Sequence, residues 1–143
     1  MITREFEARI RRTQQTDVNV PVQVVLSYDP GTDPYAATAT FLAVQVTHDG
    51  AEDRVWDFAR DLLSKGAHSR IALGQGDIRF RHYPQTEDGP IVLMCMRNRD
   101  GHADVAFPHD EVISFLDDTE ELYAEATEDC MPAVDQFLKE LLG

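Results

Sequence analysis

Long apolar runs are absent from this 143-residue sequence. None approaches the ~18 consecutive apolar residues that a bilayer-spanning helix needs. The first twelve residues, MITREFEARIRR, carry charges where a secretory signal would place its apolar stretch. Cysteine is scarce, with only Cys95 and Cys130. Their separation suits neither a disulfide framework nor a CxxC metal or redox motif. Both are expected to be small core residues in a reducing, cytoplasmic setting. Basic residues are outnumbered, 13 against 26 acidic, for a net charge of −13. Residues 100–143 hold thirteen acids and one base, Lys139, so nearly all of the excess lies there. Nucleic-acid affinity rests mostly on neutralised phosphates, so this balance disfavours nucleic acid and an anionic membrane surface as partners.

Catalytic signatures are missing as well. His48, His68, His82, His102 and His109 show no HxH or HExxH spacing that would hold a metal on one face. Gly74-Gln75-Gly76 opens like a dinucleotide fingerprint but lacks its third glycine, and it precedes a strand pattern where a helix N-terminus would be needed. No GxxxxGK[ST] loop or GxSxG elbow occurs. His109-Asp110 and Asp117-Asp118 read as helix N-terminal charge and a solvated face. The expectation is a chain that is not an enzyme and holds no metal and no cofactor.

What is present is alternation. Phe6, Ala8 and Ile10 oppose Glu7, Arg9 and Arg11, the period of a half-buried strand. Val18, Val20, Val22, Val24, Leu26 and Tyr28 form a second such row, with Pro21 marking an edge position or bulge. After a dense turn at 29–34, residues 36–46 predict a buried strand and residues 54–58 a fourth, with Trp56 and Phe58 on one face. Residues 59–66 then switch to helical spacing, with Ala59, Leu62, Leu63 and Gly66 inward, Asp57 as cap and Gly66 as stop. Strand signals resume at 71–73, 77–83, 91–96 and 102–107, with turns at 74–76 and 98–101. Pro108 opens a helix through Val112, Ile113, Phe115, Leu116, Leu122 and Tyr123, with a break near Asp117-Asp118. A last helix is expected from Met131-Pro132 through Val134, Phe137, Leu138, Leu141 and Leu142.

Strands in runs followed by helices define an α+β class with antiparallel sheet. The order suggests two halves, each of four strands and a helix, without sequence identity between them. No linker divides them, so one domain spans 1–143. The apolar run 92–96 is expected to leave a strand edge that a neighbouring subunit covers.

Two surfaces stand out. In the short helix, Arg60 and Asp61 are the expected exposed residues beside an apolar core of Trp56, Phe58, Leu62 and Leu63, and so the candidate partner-binding pair. Arg79, Arg81 and Tyr83 share one strand face near Arg97 and Arg99, a local basic strip with an aromatic, and so the alternative nucleic-acid face.

The segment Trp56-Asp57-Phe58-Ala59-Arg60-Asp61-Leu62-Leu63-Ser64-Lys65-Gly66 is distinctive. So are Tyr28-Asp29-Pro30 with Asp33-Pro34-Tyr35-Ala36 and Ala39-Thr40-Phe41 before it, and Gly76-Asp77-Ile78-Arg79 and Ser114-Phe115-Leu116 after it. In order and spacing, over about residues 4–123, these resemble the SsgA-like family of actinobacterial sporulation and cell-division proteins, nearest its SsgB branch. Residues 67–76 depart from the family pattern in lacking a proline after the helix, and the acidic stretch 117–129 is longer. The resemblance implies a cytoplasmic, non-enzymatic protein recruited to the division septum. It further implies a whirly-like fold of two antiparallel sheets with a short mid-chain helix and C-terminal helices, assembled as a homotrimer. The implied partners are the tubulin-like GTPase FtsZ and other septum-placement proteins, without membrane insertion. Two other functions stand beside this adaptor reading: a single-stranded nucleic-acid binder on the Arg79/Arg81/Tyr83 face, and a hydrolase built on a carboxylate pair.

Overall fold

The computed structural model describes residues 1–13, 16–47, 50–99, 101–128 and 141. Four strands come first: β1 (Ile2–Thr13), β2 (Thr16–Tyr28), β3 (Ala36–Thr47) and β4 (Gly50–Ala59). Helix α1 (Arg60–Gly66) leads to β5 (Leu73–Gln75), β6 (Ile78–Tyr83), β7 (Ile91–Asn98) and β8 (Gly101–Pro108), and α2 (His109–Glu128) follows. The two expected halves of four strands and a helix are thus present. They are continuous, in the order β4-β3-β2-β1-β8-β7-β6-β5, with every neighbouring pair antiparallel.

Only a short ladder joins the halves. β1 meets β8 from Arg9↔Ala106 to Thr13↔Ala103, with a bulge between Ile10 and Arg12. A bulge increases twist and bends a strand, and the sheet curls there. The rings record the curl. Phe58 on β4 lies 5.0 Å from Phe80 on β6, although five strands separate them in sheet order. Phe41 on β3 lies 6.2 Å from Phe107 on β8. One face of each half therefore closes on the other around a single core that includes Phe6, Val24, Leu26, Met94 and Val105.

The alternation is followed closely. Phe6, Ala8, Val22, Val24, Leu26 and Tyr28 are buried, while Glu5, Glu7 and Gln23 are exposed. Pro21 falls where β2 has run beyond its pairing with β3, an edge position as its missing N–H requires. β7 differs from expectation. It is hydrogen-bonded to β6 and to β8, so the apolar run 92–96 is an interior strand, and among the described residues the sheet ends at β4 and β5.

Helix ends also depart from the simplest reading. Asp57 does not cap α1; its carboxylate accepts the Thr38 hydroxyl at 2.7 Å, and Ala59 occupies the N-cap without a side-chain bond. Gly66 is the last helical residue and not the residue beyond it. A side chain there would place Cβ 2.4 Å from Cβ of Phe80, so its role is close approach of α1 to β6. Helix α2 runs unbroken through Asp117-Asp118, because Val112, Phe115, Leu116 and Thr119 keep one face buried while the two acids face outward. The expected final helix from Met131 lies outside the described residues, as do Cys130 and His48. Among the described residues no helix is long and apolar enough to cross a membrane.

Three imidazoles meet where α1, β6 and α2 converge. His82 stacks on His109 with ring centroids 4.3 Å apart and planes at 20°, and His68 lies 6.2 Å from His109. His109 Nε2 is 3.2 Å from the Ala67 carbonyl. His82 Nε2 is buried without a hydrogen-bond partner. Burial, then the neighbouring His109, His68 and Arg70 charges, push the His82 pKa below its ordinary value. The folded chain therefore binds fewer protons here than the unfolded chain. The contribution is complete above the unfolded pKa of about 6.5 and is lost as pH falls through the folded value. Urea unfolding at pH 7.5 and pH 5.0 checks this: His82→Phe, which keeps a stacked ring, is expected to lose less stability on acidification than the native chain.

Candidate functional site

Arg60 is the first helical residue of α1, and it does not face solvent. Its side chain is 2% exposed, which corrects the expectation of an accessible partner-binding guanidinium. The reason is helical phase. Positions 60, 63 and 67 share one face, and Leu63 and Ala67 are fully buried beneath it. Nε donates to Thr119 Oγ1 at 3.0 Å, and Nη2 donates to the Leu116 carbonyl at 3.1 Å and to the Glu120 carboxylate at 2.6 Å. The guanidinium lies 4.2 Å from the centroid of the Tyr123 ring, which meets Tyr28 edge-on at 6.3 Å. The Arg60 backbone N–H donates to the Tyr35 carbonyl at 2.8 Å. One residue thus ties the β2–β3 turn, the β4–α1 corner and α2 together. Burial raises the Tyr28 and Tyr123 hydroxyl pKa values, with the Arg60 charge pulling the other way.

Asp61, the other candidate of this pair, is exposed. It forms an i,i+4 pair with Lys65 at 2.9 Å, which raises the Lys65 pKa mainly through the hydrogen bond. With Asp57, Phe58, Leu62 and Lys65 it rims a cleft of about 550 Å³ between α1 and the β5–β6 hairpin. The structure therefore separates Arg60 from Asp61, one turned inward and one outward.

Arg79, Arg81 and Tyr83 do share the outer face of β6, as alternation requires. The Arg81 guanidinium sits 4.4 Å from the centroid of the Tyr83 ring and so covers the surface on which a base would stack. Cys95 is half-buried on that outer face and not in the core. Its thiol is pushed up to about 12 by burial first and then by the neighbouring Asp104 carboxylate, so it stays protonated near neutrality.

Sequence reasoning missed the partners of Arg60. Leu116, Thr119, Glu120 and Tyr123 fall at i, i+3, i+4 and i+7, one face of α2, and a polar residue inside that apolar stripe was the available signal. Among the described residues no group of three or more His, Cys, Asp or Glu side chains is arranged to hold a metal ion.

The arrangement defines an α+β protein whose described polar clusters bind its own elements together or face outward as charged surface. Comparison with known proteins places it further. The sequence profile described as "Streptomyces sporulation and cell division protein, SsgA" matches residues 22–128. The chain belongs to this SsgA-like family. It is 35% identical over 139 residues to the sporulation-specific cell division protein SsgB of Streptomyces coelicolor, covering 96% of this chain and 93% of that one. It is 37% identical over 126 residues to the SsgB of Saccharopolyspora erythraea, covering 86% and 80%. Two solved structures share the fold. One is of S. coelicolor SsgB, in work on mutations that correlate with longitudinal cell division during sporulation (TM-score 0.69, 30% identity, 85% and 87% covered). The other is an SsgA-like sporulation-specific cell division protein from Thermobifida fusca (TM-score 0.70, 26% identity, 94% of each chain covered).

Replacing Arg60 with Met removes the donors to Thr119 and Leu116 while keeping apolar volume. A loss of about 2–4 kcal/mol is expected. Glu120→Gln is expected to cost under about 1 kcal/mol, because the Glu120 side chain is 68% exposed and remains hydrated. Urea denaturation of the two variants tests the asymmetry; equal small effects would contradict it.

Proposed function

We propose that this chain is a non-enzymatic adaptor of sporulation-specific cell division that helps place FtsZ at septum sites. The observation that carries the reading is the 35% identity to an SsgB over nearly the whole of both chains. The fold is compatible with it, since most of the described charged groups outside the Arg60 cluster are exposed on the strands and on both helices. We place the partner contact at the cleft beside α1, with Asp61 and Lys65 on its rim. The protein is read as cytoplasmic and recruited to the septum through that contact.

Assembly as a homotrimer belongs to the same reading. Among the described residues the sheet ends at β4 and β5, neither of which has a strand partner on its outer side. Beside β4 an apolar groove of about 280 Å³ is lined by Phe41, Val44, Trp56, Met96 and Val105, and Val55 on β4 is 60% exposed. A second copy pairing along that edge would cover both.

Co-sedimentation with FtsZ and GTP tests the adaptor function. Binding is expected to raise the pelleted fraction of this protein, and Asp61→Lys is expected to reduce it. No co-sedimentation, together with normal sporulation septa in a deletion strain, would refute the reading. Light scattering that shows only a 16.1 kDa particle would refute the trimer.

A further inference from the structure

The outer face of the second half, turned away from both helices, carries an ordered set of charges. Sheet register sets Arg79 on β6, Cys95 on β7, Asp104 on β8 and Arg12 on β1 in one row across four strands. The adjacent row holds Arg97 opposite His102, and the Arg97 backbone N–H donates to the Asp77 carbonyl at 2.8 Å. These residues line a cleft of about 310 Å³.

Its charges are unevenly satisfied. Asp104 accepts from His102 Nε2 at 3.0 Å and stands opposite Cys95 in the ladder. Arg12, Arg79 and Arg97 are exposed, and among the described residues none has a carboxylate within 4 Å. Four cations elsewhere are ion-paired: Arg4 with Glu111, Arg11 with Asp88, Arg60 with Glu120 and Lys65 with Asp61. In a chain with twice as many acids as bases, this cleft holds three exposed guanidiniums against the two carboxylates of Asp77 and Asp104, and none of the three is ion-paired with either. Guanidinium forks pair bidentately with carboxylates.

We propose that the Arg12–Arg79–Arg97 cleft docks an acidic, extended peptide segment of a partner protein. Charge complementarity selects the occupant. Arg79 and Arg12 end a row that crosses four strands, roughly 14 Å at the usual strand spacing, which about four residues of extended peptide span. Nucleic acid fits less well, because the Arg81 guanidinium already lies over the Tyr83 ring, the aromatic on which a base would stack. The proposal rests on the reading of this chain as a protein that docks other proteins, and it supplies the chemistry of one contact.

The experiment titrates the full ¹⁵N-labelled chain with an eight-residue oligo-glutamate peptide, its oligo-glutamine counterpart and an eight-nucleotide oligothymidylate. Oligo-glutamate is expected to shift the amides of Arg12, Arg79, Arg97, His102 and Asp104. The Arg79→Gln/Arg97→Gln double variant is expected to weaken binding at least tenfold, and Arg97→Gln alone in the same direction. The charge-matched Arg54→Gln/Arg70→Gln double variant should bind within twofold of the native chain. Absence of binding, shifts elsewhere, equal losses in the two double variants, or tighter binding of oligothymidylate would each overturn the proposal. Failure here with FtsZ co-sedimentation intact would remove the cleft and leave the adaptor function standing.

Discussion

A single buried guanidinium organises this fold. Arg60 sits at the corner where the first half of the sheet ends and α1 begins, and it holds α2 through a hydroxyl, a main-chain carbonyl, a carboxylate and an aromatic face. Burying a charge is costly unless its donors are satisfied. Here the cost is offset by placing Glu120 at the protein surface, where it stays hydrated while its partner does not. The arrangement is directional: a planar fork reaches Thr119 and Leu116 while its carbon sits over the Tyr123 ring. The shape of the region therefore depends on one side chain meeting several residues of α2 at once.

That constraint also divides the surface. With Arg60 drawn inward, α2 presents Asp110, Asp117, Glu120, Glu121, Glu125 and Glu128 outward on one side of the molecule. The outer face of β6 to β8 presents Arg79, Arg81 and Arg97 on another. The net charge of −13 thus conceals a segregated surface. A protein that acts by contact can exploit such segregation, since complementary charge steers encounter and fixes orientation more than it adds affinity. The membership in the SsgA-like family and the charge layout are compatible on this point, and both direct attention to surfaces and not to a reaction centre.

Much of the fold was legible because strand alternation is a strict code. Phe6, Ala8, Val22, Val24, Leu26 and Tyr28 could only face one way once their period was seen. Strand order was less legible. The run 92–96 is equally apolar whether it lies at an edge or inside, and only the pairing of β7 on both sides decides that. The expected exposure of Arg60 failed for a similar reason. A seven-residue helix shows too few turns to fix its phase, and arginine is presumed exposed unless a partner is known. That partner lies 56 to 60 residues away on α2, beyond the reach of local pattern. The outer arginines were visible as a strip on β6, but their alignment with Arg12 depends on the β1–β8 ladder and its bulge, which no local spacing encodes.

The claim that Arg60 fastens α2 to the sheet is tested most directly by native-state hydrogen exchange on Arg60→Lys, which keeps the charge and loses the fork. The account predicts faster exchange of the α2 amides from Val112 to Tyr123, while β7 and β8 keep their protection through their own ladders. Unchanged protection across α2 would contradict it, as would a uniform loss throughout the chain.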